Sequence, residues 1–369
     1  MQVMLCRLRT HQWCFILFNI ILFHALLFGA DLMEEYFLQS IPFSYTDGKF
    51  VEIRERARTL DMNFLKDNIS KSYVVSGSEL CSGREVFLVL SVFSSPDNMS
   101  RRESIRKTWG NTTTLHGHAV ISVFMLGRSA IESVQLDILN ESLAHMDIVQ
   151  GSFLDTYPNE TFKTVMMMEW VVTFCPNARF ILKADQQVFV NVESLVGFLL
   201  SLETHTDDIY TGRVIHQSLP DRDPHSPNFV PMSSYSETYY PDYCSGSAMV
   251  VSQDVARKMY LVSGKVTLLV PSDVFIGICA HWAGVVPIHS SRFSGDKHIR
   301  YNRCCYQVIF SSSSVADEEL SLVWKDLEEG DRCSKLEIYY GMVSCKIWSY
   351  LDRIKYFNTG RIKDGNWPV

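Results

Sequence analysis

The almost unbroken apolar segment Val86–Phe93 constrains the fold more than any other feature of the chain. An apolar run without polar alternation is typical of a strand that is buried on both faces of a parallel sheet. Predicted strands cover residues 86–93, 119–126, 147–150 and 179–182, and predicted helices cover residues 101–109, 131–143 and 161–174. Because strands alternate with helices, we predict an α/β fold with a mainly parallel central sheet.

A turn with one carboxylate follows the predicted strand at residues 179–182. Asp185 comes shortly after this strand, and Gln186 and Gln187 separate it from a second short apolar segment. In open α/β sheets, ligands bind in the crevice beyond the carboxyl ends of the strands. Asp185 is therefore predicted to lie in a binding crevice.

The amino-terminal segment at residues 13–30 carries no formal charge and is rich in Phe, Ile and Leu. It is just long enough to cross the hydrocarbon core of a bilayer. Arg7 and Arg9 precede it, so the positive-inside rule places the amino terminus in the cytosol. A cleaved signal peptide is the alternative, although the apolar stretch is longer than is usual for one. The predicted organisation is a cytosolic tail at 1–12, a transmembrane signal-anchor at 13–30, a luminal stem at 31–80 and a luminal domain at 81–369.

Two further features agree with a luminal body. Five N-x-S/T sequons are candidate glycan acceptors; they are at Asn68, Asn98, Asn111, Asn140 and Asn159. Eight of the 10 cysteines follow the predicted anchor and allow up to four disulfides in an oxidising compartment, with their pairing left open. The formal charge of −7 argues against a nucleic-acid-binding protein.

Six short segments occur in a characteristic order along the chain, at residues 101–110, 153–157, 162–170, 183–191, 240–246 and 272–277. Together they resemble the beta-1,3-galactosyltransferase family, which includes beta-1,3-N-acetylglucosaminyltransferases. The resemblance implies a GT-A-like fold that binds a nucleotide sugar, in a type II membrane protein of the Golgi apparatus. It further implies transfer of galactose from UDP-galactose, in beta-1,3 linkage, to an acceptor glycan on a glycoprotein or glycolipid. UDP-N-acetylglucosamine is the alternative donor.

Basic side chains are expected around the donor diphosphate, because Arg and Lys neutralise phosphate by charge-assisted hydrogen bonds. Arg102 and Arg106 are four residues apart and share one face of a predicted helix. The resemblance makes five residues candidates for donor binding, namely Arg102, Arg106, Lys163, Lys183 and Asp185. For the basic residues, the alternative is a solvated surface.

The resemblance implies that Asp273 is the general base of an inverting transfer, which removes a proton from the acceptor hydroxyl. The family usually has Glu before this Asp, whereas Ser272 stands here, so we expect Asp273 to be less firmly positioned. The alternative is a helix N-cap, because Pro271 and Ser272 lead into an apolar run that includes Val274.

A Cys-Ser-Gly segment resembles a loop of the family that lies near the acceptor. The acceptor-side candidates are Tyr243, Ser245 and Gly246. A turn tethered by a disulfide at Cys244 is the alternative, and the two interpretations are compatible. Trp109 and Trp170 are interpreted as core residues rather than as platforms that stack on sugars.

The resemblance also implies Mn²⁺, held by the last carboxylate of an Asp-x-Asp turn and by a His on a late strand. Here Asp185 is present, but Gln187 replaces the last Asp, and an uncharged amide oxygen binds a hard cation more weakly. Ser312 lies where the His is expected, and His289 and His298 are the nearby alternatives. Manganese binding at Asp185 and Gln187 is therefore expected to be weak or absent.

Two functions of different classes remain open from the sequence. The first is an active transferase, favoured by Asp273 and by the intact segments around it. The second is a catalytically silent member of the family that binds a glycan or another transferase, favoured by Gln187 and Ser312.

Overall fold

The computed structural model describes residues 10–36, 48–60, 72–202 and 207–358. Its strands are β1 (Tyr73–Val75), β2 (Val86–Phe93), β3 (Thr114–Leu115), β4 (His118–Arg128), β5 (Ile148–Leu154), β6 (Ala178–Asp185), β7 (Phe189–Val190), β8 (Tyr210–Ile215), β9 (Tyr243–Ser252), β10 (Ile288–His289) and β11 (Ser311–Ser312). Nine of them form one sheet in the order β1-β5-β4-β2-β6-β9-β8-β10, with β3 paired to β4, and β7 pairs separately with β11.

The helices connect these strands and cover the sheet. They are α1 (Thr10–Tyr36), α2 (Gly48–Arg58), α3 (Met99–Arg106), α4 (Glu132–His145), α5 (Glu160–Phe174), α6 (Val192–Ser201), α7 (Gln253–Ser263), α8 (Ser272–Trp282), α9 (Arg303–Tyr306), α10 (Asp317–Glu329) and α11 (Lys335–Asn358). Single 3₁₀ turns lie at Trp109–Asn111 and Tyr157–Asn159.

The centre of the large sheet confirms the predicted α/β class. β2 pairs in parallel with β4 on one side and with β6 on the other, and every residue of β2 is buried. β5 is parallel to β4, whereas β9 runs antiparallel to β6. The carboxyl ends of β2, β4, β5 and β6 therefore lie at one edge of the sheet. The amino end of β9 reaches the same edge because β9 runs in the opposite direction.

Two apolar layers sandwich this sheet. On one face, α5, α7 and α8 pack together, and Met166–Met168 lie among their buried side chains. The other face is covered by a second cluster that includes side chains of α3, α6 and α10. Trp170 belongs to the first layer and Trp109 to the second, and each is 0% exposed. The prediction that both tryptophans are core residues is confirmed.

The predicted signal-anchor coincides with α1, whose side chains are described over residues 12–26. Within the described ranges, no helix combines the length and the apolar character needed to cross a membrane. The side chains of residues 27–30, at the end of the predicted anchor, lie outside the described ones.

Parts of the predicted stem at residues 31–80 pack with the body of the protein. α2 contacts α7 and buries Ala57, and β1 extends the large sheet by pairing with β5. The short strand Tyr73–Val75, within the predicted stem, thus belongs to the large sheet. The segments at residues 37–47 and 61–71 lie outside the described residues.

Three disulfides are present in the described ranges, of the four that the sequence allowed. They are Cys81–Cys175, Cys304–Cys333 and Cys305–Cys345. Cys244 and Cys279 are buried thiols, so the predicted disulfide-tethered turn at Cys244 is wrong. Among the sequons, the Asn111 and Asn140 side chains are exposed and those of Asn98 and Asn159 are half-buried. Asn68 lies outside the described residues.

Candidate active site

Lys183 and Asp185 lie together at the carboxyl end of β6. The Nζ of Lys183 donates to Oδ1 of Asp185 at 2.5 Å and to the carbonyl oxygen of Gly246. It also lies 4.7 Å from the centroid of the Phe93 ring at the end of β2. Burial opposes the charge on Lys183, but the carboxylate of Asp185 raises the Lys183 pKa above its ordinary value. Burial also raises the pKa of Asp185, despite its bond to Lys183.

Asp273 lies in the first turn of α8, whose N-cap position is occupied by Pro271. The predicted N-cap role of Asp273 is therefore wrong. Oδ1 of Asp273 accepts a hydrogen bond from the backbone N–H of Val274 at 2.8 Å. Burial raises the pKa of Asp273 to about 6, although the Val274 bond and the positive charge of Lys183 act in the opposite direction. A carboxylate with a pKa near neutrality is suited to accept a proton at the pH at which it works.

Gly246 lies between the end of β6 and Asp273 and contacts both. The Cys-Ser-Gly segment was predicted as a loop, but it forms the first half of strand β9. A Cβ atom at residue 246 would lie 3.2 Å from Cβ of Asp273, which is a tight contact. Glycine therefore allows β9 to pass directly against Asp273, while its carbonyl oxygen accepts the bond from Lys183. Lys183, Asp185, Gly246 and Asp273 thus form one site at the edge of the sheet.

The other two acceptor-side candidates flank this site. The Oγ of Ser245 donates to Oδ1 of Asp296 at 2.8 Å. Tyr243 is buried, and its hydroxyl donates to Oγ of Ser218 at 3.3 Å. Burial, together with the charges of Asp273 and Asp296, raises the Tyr243 pKa to about 12, so its hydroxyl remains protonated at neutral pH.

Arg102 and Arg106 share one helix face as predicted, but that face packs on α4. Arg102 is fully buried and binds Glu141 through hydrogen bonds of 2.8 and 2.6 Å. Arg106 binds the same carboxylate at 2.7 Å and Asp147 at 2.8 Å. Burial opposes the charge on Glu141, but the two arginines lower its pKa overall. These internal ion pairs replace the predicted contacts of both arginines with the donor.

Lys163, another residue predicted to bind the donor, makes internal contacts that support the site. It is buried, and its Nζ donates to the carbonyl oxygen of Ser94 at 2.9 Å and binds Asp155 at 2.9 Å. Ser94 and Ser95 in turn donate to Oε1 of Gln186 at 2.9 and 3.2 Å. Lys163 thereby fixes the turn after β2, and this turn supports the residue that follows Asp185.

The residues implied to hold manganese do not fit that ion. Oδ1 of Asp185 is bound by Lys183, and a bonded ammonium competes with a cation for the same oxygen. Gln187 is exposed and brings only a neutral amide. No group of three or more His, Cys, Asp or Glu side chains suited to a metal occurs among the residues that the structure describes. The donor set at Asp185 and Gln187 therefore does not fit the manganese ion that the resemblance implies.

Ser312 on the late strand and the two nearby histidines are also engaged in other contacts. Ser312 is buried in β11, and its Oγ accepts bonds from the N–H of Ile299 and the hydroxyl of Tyr306, both at 3.0 Å. His289 accepts from the N–H of Val214, and His298 contacts Glu319 at 3.0 Å. These contacts give the three side chains structural roles.

Sequence reasoning missed three residues around the site. Arg101 donates to the carbonyl oxygen of Gln186 at 2.6 Å and to Asp317 at 2.5 Å, so it also holds the turn after β6. Asp296 and Glu160 are carboxylates whose charges raise the pKa values of both Asp185 and Asp273. Arg101 was detectable as the start of a basic helix, but no pattern in the sequence placed Glu160 or Asp296 beside Asp273.

Comparisons with known proteins agree with this architecture. The Galactosyltransferase family model matches residues 100–291, which include the turn after β6, the first half of β9 and Asp273. Human beta-1,3-galactosyltransferase 9 is 55% identical over 364 residues, covering 99% of this chain and 98% of its own length. Lactosylceramide 1,3-N-acetyl-beta-D-glucosaminyltransferase B of Xenopus laevis is 36% identical over 318 residues, which cover 80% of this chain and 84% of that protein. The human lactosylceramide 1,3-N-acetyl-beta-D-glucosaminyltransferase is 32% identical over 311 residues, or 82% of either chain. The chain therefore belongs to the galactosyltransferase family of hexosyltransferases.

Proposed function

We propose that the protein transfers galactose from UDP-galactose, in beta-1,3 linkage, to an acceptor glycan, with Asp273 as the general base. The observation that carries this proposal is the position of Asp273 beside Lys183 and Gly246, with a pKa raised to about 6. A base with this pKa is ionised at the near-neutral pH of a secretory compartment. It also keeps more affinity for a proton than an ordinary aspartate does.

In the proposed reaction, the oxygen of the acceptor hydroxyl attacks C1 of galactose while Asp273 takes the hydroxyl proton. The bond between C1 and the diphosphate oxygen breaks, and its electron pair leaves with UDP. Attack and departure occur on opposite faces of the sugar, so an α-linked donor gives a β-linked product. No covalent intermediate is formed.

Lys183 is the proposed source of positive charge for the departing diphosphate. An ammonium group has three N–H donors, and the bonds to Asp185 and Gly246 use two of them. We assign the third to the donor, where it stabilises the charge that develops on UDP. Asp185 keeps Lys183 charged, and 39% of the Asp185 side chain is exposed and open to the hydroxyls of the donor.

The transfer is proposed to depend weakly or not at all on Mn²⁺. This follows from the chemistry of the side chains, because Gln187 is neutral and Asp185 is bound to Lys183. A neutral amide oxygen in place of a carboxylate binds a hard cation more weakly.

UDP-N-acetylglucosamine is the second candidate donor. It is favoured by the relatives named as N-acetyl-beta-D-glucosaminyltransferases, which are 36% and 32% identical to this chain. The two donors differ at the C2 substituent and in the C4 configuration, and no described residue of the site is tied to either position.

The proposed location is the Golgi membrane, with a type II topology and a luminal catalytic domain. It is supported by the uncharged segment at residues 13–30 and by the three disulfides of the body. Extraction of the full chain from membranes with alkaline carbonate tests the anchor. Retention in the membrane pellet supports it, and release into the supernatant contradicts it.

The activity itself is tested by UDP release from purified protein of residues 31–369, supplied with either donor and a panel of β-linked acceptors. We expect turnover that requires an acceptor, is faster with UDP-galactose, and yields a β-1,3 linkage by NMR. Absence of turnover with every acceptor, from folded and glycosylated protein, would favour the silent glycan-binding or transferase-binding role. In that case UDP is expected to leave the melting temperature unchanged.

A further inference from the structure

The carboxylate of Glu160 reaches the helix that carries Asp273. Glu160 is the first residue of α5, and its Oε1 accepts a hydrogen bond from Oγ of Ser272 at 2.9 Å. Ser272 is the first residue of α8 and immediately precedes Asp273. The bond therefore fixes the start of α8 one residue away from the proposed base.

A second bond from the same end of α5 strengthens this junction. The Oγ1 of Thr161 donates to the carbonyl oxygen of Val270 at 2.9 Å, and the Thr161 side chain is buried. Consecutive residues of α5 thus hold Val270 and Ser272, the two neighbours of Pro271. Since proline fixes its own φ angle, the chain enters α8 along a well-defined path.

Glu160 also acts on Asp273 through its charge. The groups that interact with Asp273 are the ammonium of Lys183 from β6, the carboxylates of Glu160 and Asp296, the Val274 N–H, the thiol of Cys244, and the hydroxyls of Tyr157, Tyr210, Tyr240 and Tyr243. Glu160 belongs to the negative members of this set, so it makes ionisation of Asp273 less favourable. Its effect is therefore distinct from that of a neutral hydrogen-bond acceptor in the same place.

We propose that Glu160 is a positioning residue for the transfer, which holds Asp273 in place through its bond to Ser272 and adds a negative charge to the surroundings of Asp273. The inference rests on the proposed role of Asp273. It explains how Asp273 is positioned although Ser272 replaces the glutamate that was expected before it. The carboxylate comes from α5 instead, 112 residues earlier in the chain.

The two roles of Glu160 can be separated by substitution. Glu160→Gln keeps an oxygen that accepts the Ser272 bond but removes the charge, whereas Glu160→Ala removes both. Ser272→Ala removes the bond and keeps the charge. All three variants leave the Asn159 sequon intact, because the residue between Asn159 and Thr161 is free to vary unless it is Pro. Glu169→Gln is the matched control, since Glu169 is on the same helix and binds Tyr73 and Tyr260 away from the site.

The experiment measures kcat and kcat/KM against pH for acceptor-dependent UDP release, with melting temperatures recorded in parallel. Glu160→Gln is expected to move the acid limb of kcat/KM to lower pH by about half a unit, with a plateau kcat within about threefold of wild type. Ser272→Ala and Glu160→Ala are expected to lower kcat by about tenfold or more, with little change in the donor KM. Glu169→Gln is expected to keep the wild-type kcat and the wild-type acid limb of kcat/KM.

A wild-type acid limb in Glu160→Gln, together with a wild-type kcat in Glu160→Ala, would overturn the inference and leave the proposed function standing. A wild-type protein without turnover at any pH would overturn both. The loss of rate in the Glu160 variants could also be fully explained by a fall in melting temperature, with the acid limb of kcat/KM unmoved. Glu160 would then be a purely structural residue, and the inference would be overturned.

Discussion

Lys183 binds Asp185 through a 2.5 Å hydrogen bond at the end of β6, within the site that also contains Gly246 and Asp273. Of the two carboxylates expected at this turn, only Asp185 is present, and it is paired with the ammonium of Lys183. The positive charge at the site is thus part of the protein chain, which gives Lys183 the largest expected effect on donor binding.

Lys183→Met is expected to weaken UDP binding by more than tenfold, because it removes the charge proposed to contact the diphosphate. Titration calorimetry with UDP measures this directly. Lys258→Met is the matched control, since Lys258 is also a buried lysine and is bound by Asp208 and Asp254. Breaking such a pair costs about 3–5 kcal/mol of stability, but UDP affinity should be retained. Equal loss of UDP affinity in the two variants would contradict the role of Lys183.

Gln187→Asp is expected to create metal dependence. Gln187 is exposed, so the substitution should cost little stability, and it places a second carboxylate beside Asp185. UDP affinity of the variant should rise by about tenfold or more when Mn²⁺ is added, while that of the wild type changes less than about threefold. Strong enhancement by Mn²⁺ in the wild type, abolished by EDTA, would show that the site binds the ion without a second carboxylate.

Arg102→Met is expected to reduce stability and to spare the affinity for UDP. The substitution leaves Glu141 buried without one of its two arginine partners, which costs about 3–5 kcal/mol. Chemical denaturation gives the change in free energy of unfolding. Arg332→Met is the exposed comparison, since the Arg332–Glu193 pair has side chains 87% and 58% exposed and should contribute less than about 1 kcal/mol. Loss of UDP binding by folded Arg102→Met protein would instead support a direct contact between Arg102 and the donor.

The contribution of Asp273 to the stability of the protein should fall as pH rises through its titration. Its pKa is raised from 3.8 to about 6 in the folded state, so the folded protein binds more protons than the unfolded chain between these values. The contribution of Asp273 is therefore most favourable below pH 3.8 and is lost as pH rises past about 6. Asp273→Asn should raise the free energy of unfolding at pH 8 by up to about 3 kcal/mol, with the gain vanishing near pH 4.

Denaturation curves at several pH values test this sign. Asp221→Asn provides a control of opposite direction, because hydrogen bonds from Ser226 and Asp223 lower the pKa of Asp221. That variant should be less stable than wild type at neutral pH. An Asp273→Asn variant that is destabilised at pH 8 would show that the charged carboxylate is favoured by the fold.

The features that were correctly predicted from the sequence are those that depend on short local patterns. The apolar segment Val86–Phe93 became a strand buried at every position, because unbroken apolar runs have few other solutions in an α/β fold. Lys183 and Asp185 are at the end of β6 and Asp273 is in the first turn of α8, and these two ends meet at one edge of the sheet. The resemblance to a family supplied their roles, which spacing alone does not carry.

The wrong assignments concern contacts between distant parts of the chain. Arg102 meets Glu141 across 39 residues, and Ser245 meets Asp296 across 51. A basic helix face has the same sequence pattern whether it faces phosphate or a buried carboxylate. Only the packing of α3 on α4 decides between these outcomes, and that packing is a property of the whole fold.

The central claim is that Asp273 accepts the proton of the acceptor hydroxyl, and the most direct test is acceptor-dependent UDP release by Asp273→Asn protein. Asparagine keeps the shape of the side chain but is not a base. The account predicts a kcat lower by about 10²–10⁴-fold, with a donor KM within about threefold of wild type. A variant that retains kcat within about tenfold of wild type would contradict the claim and would require another base.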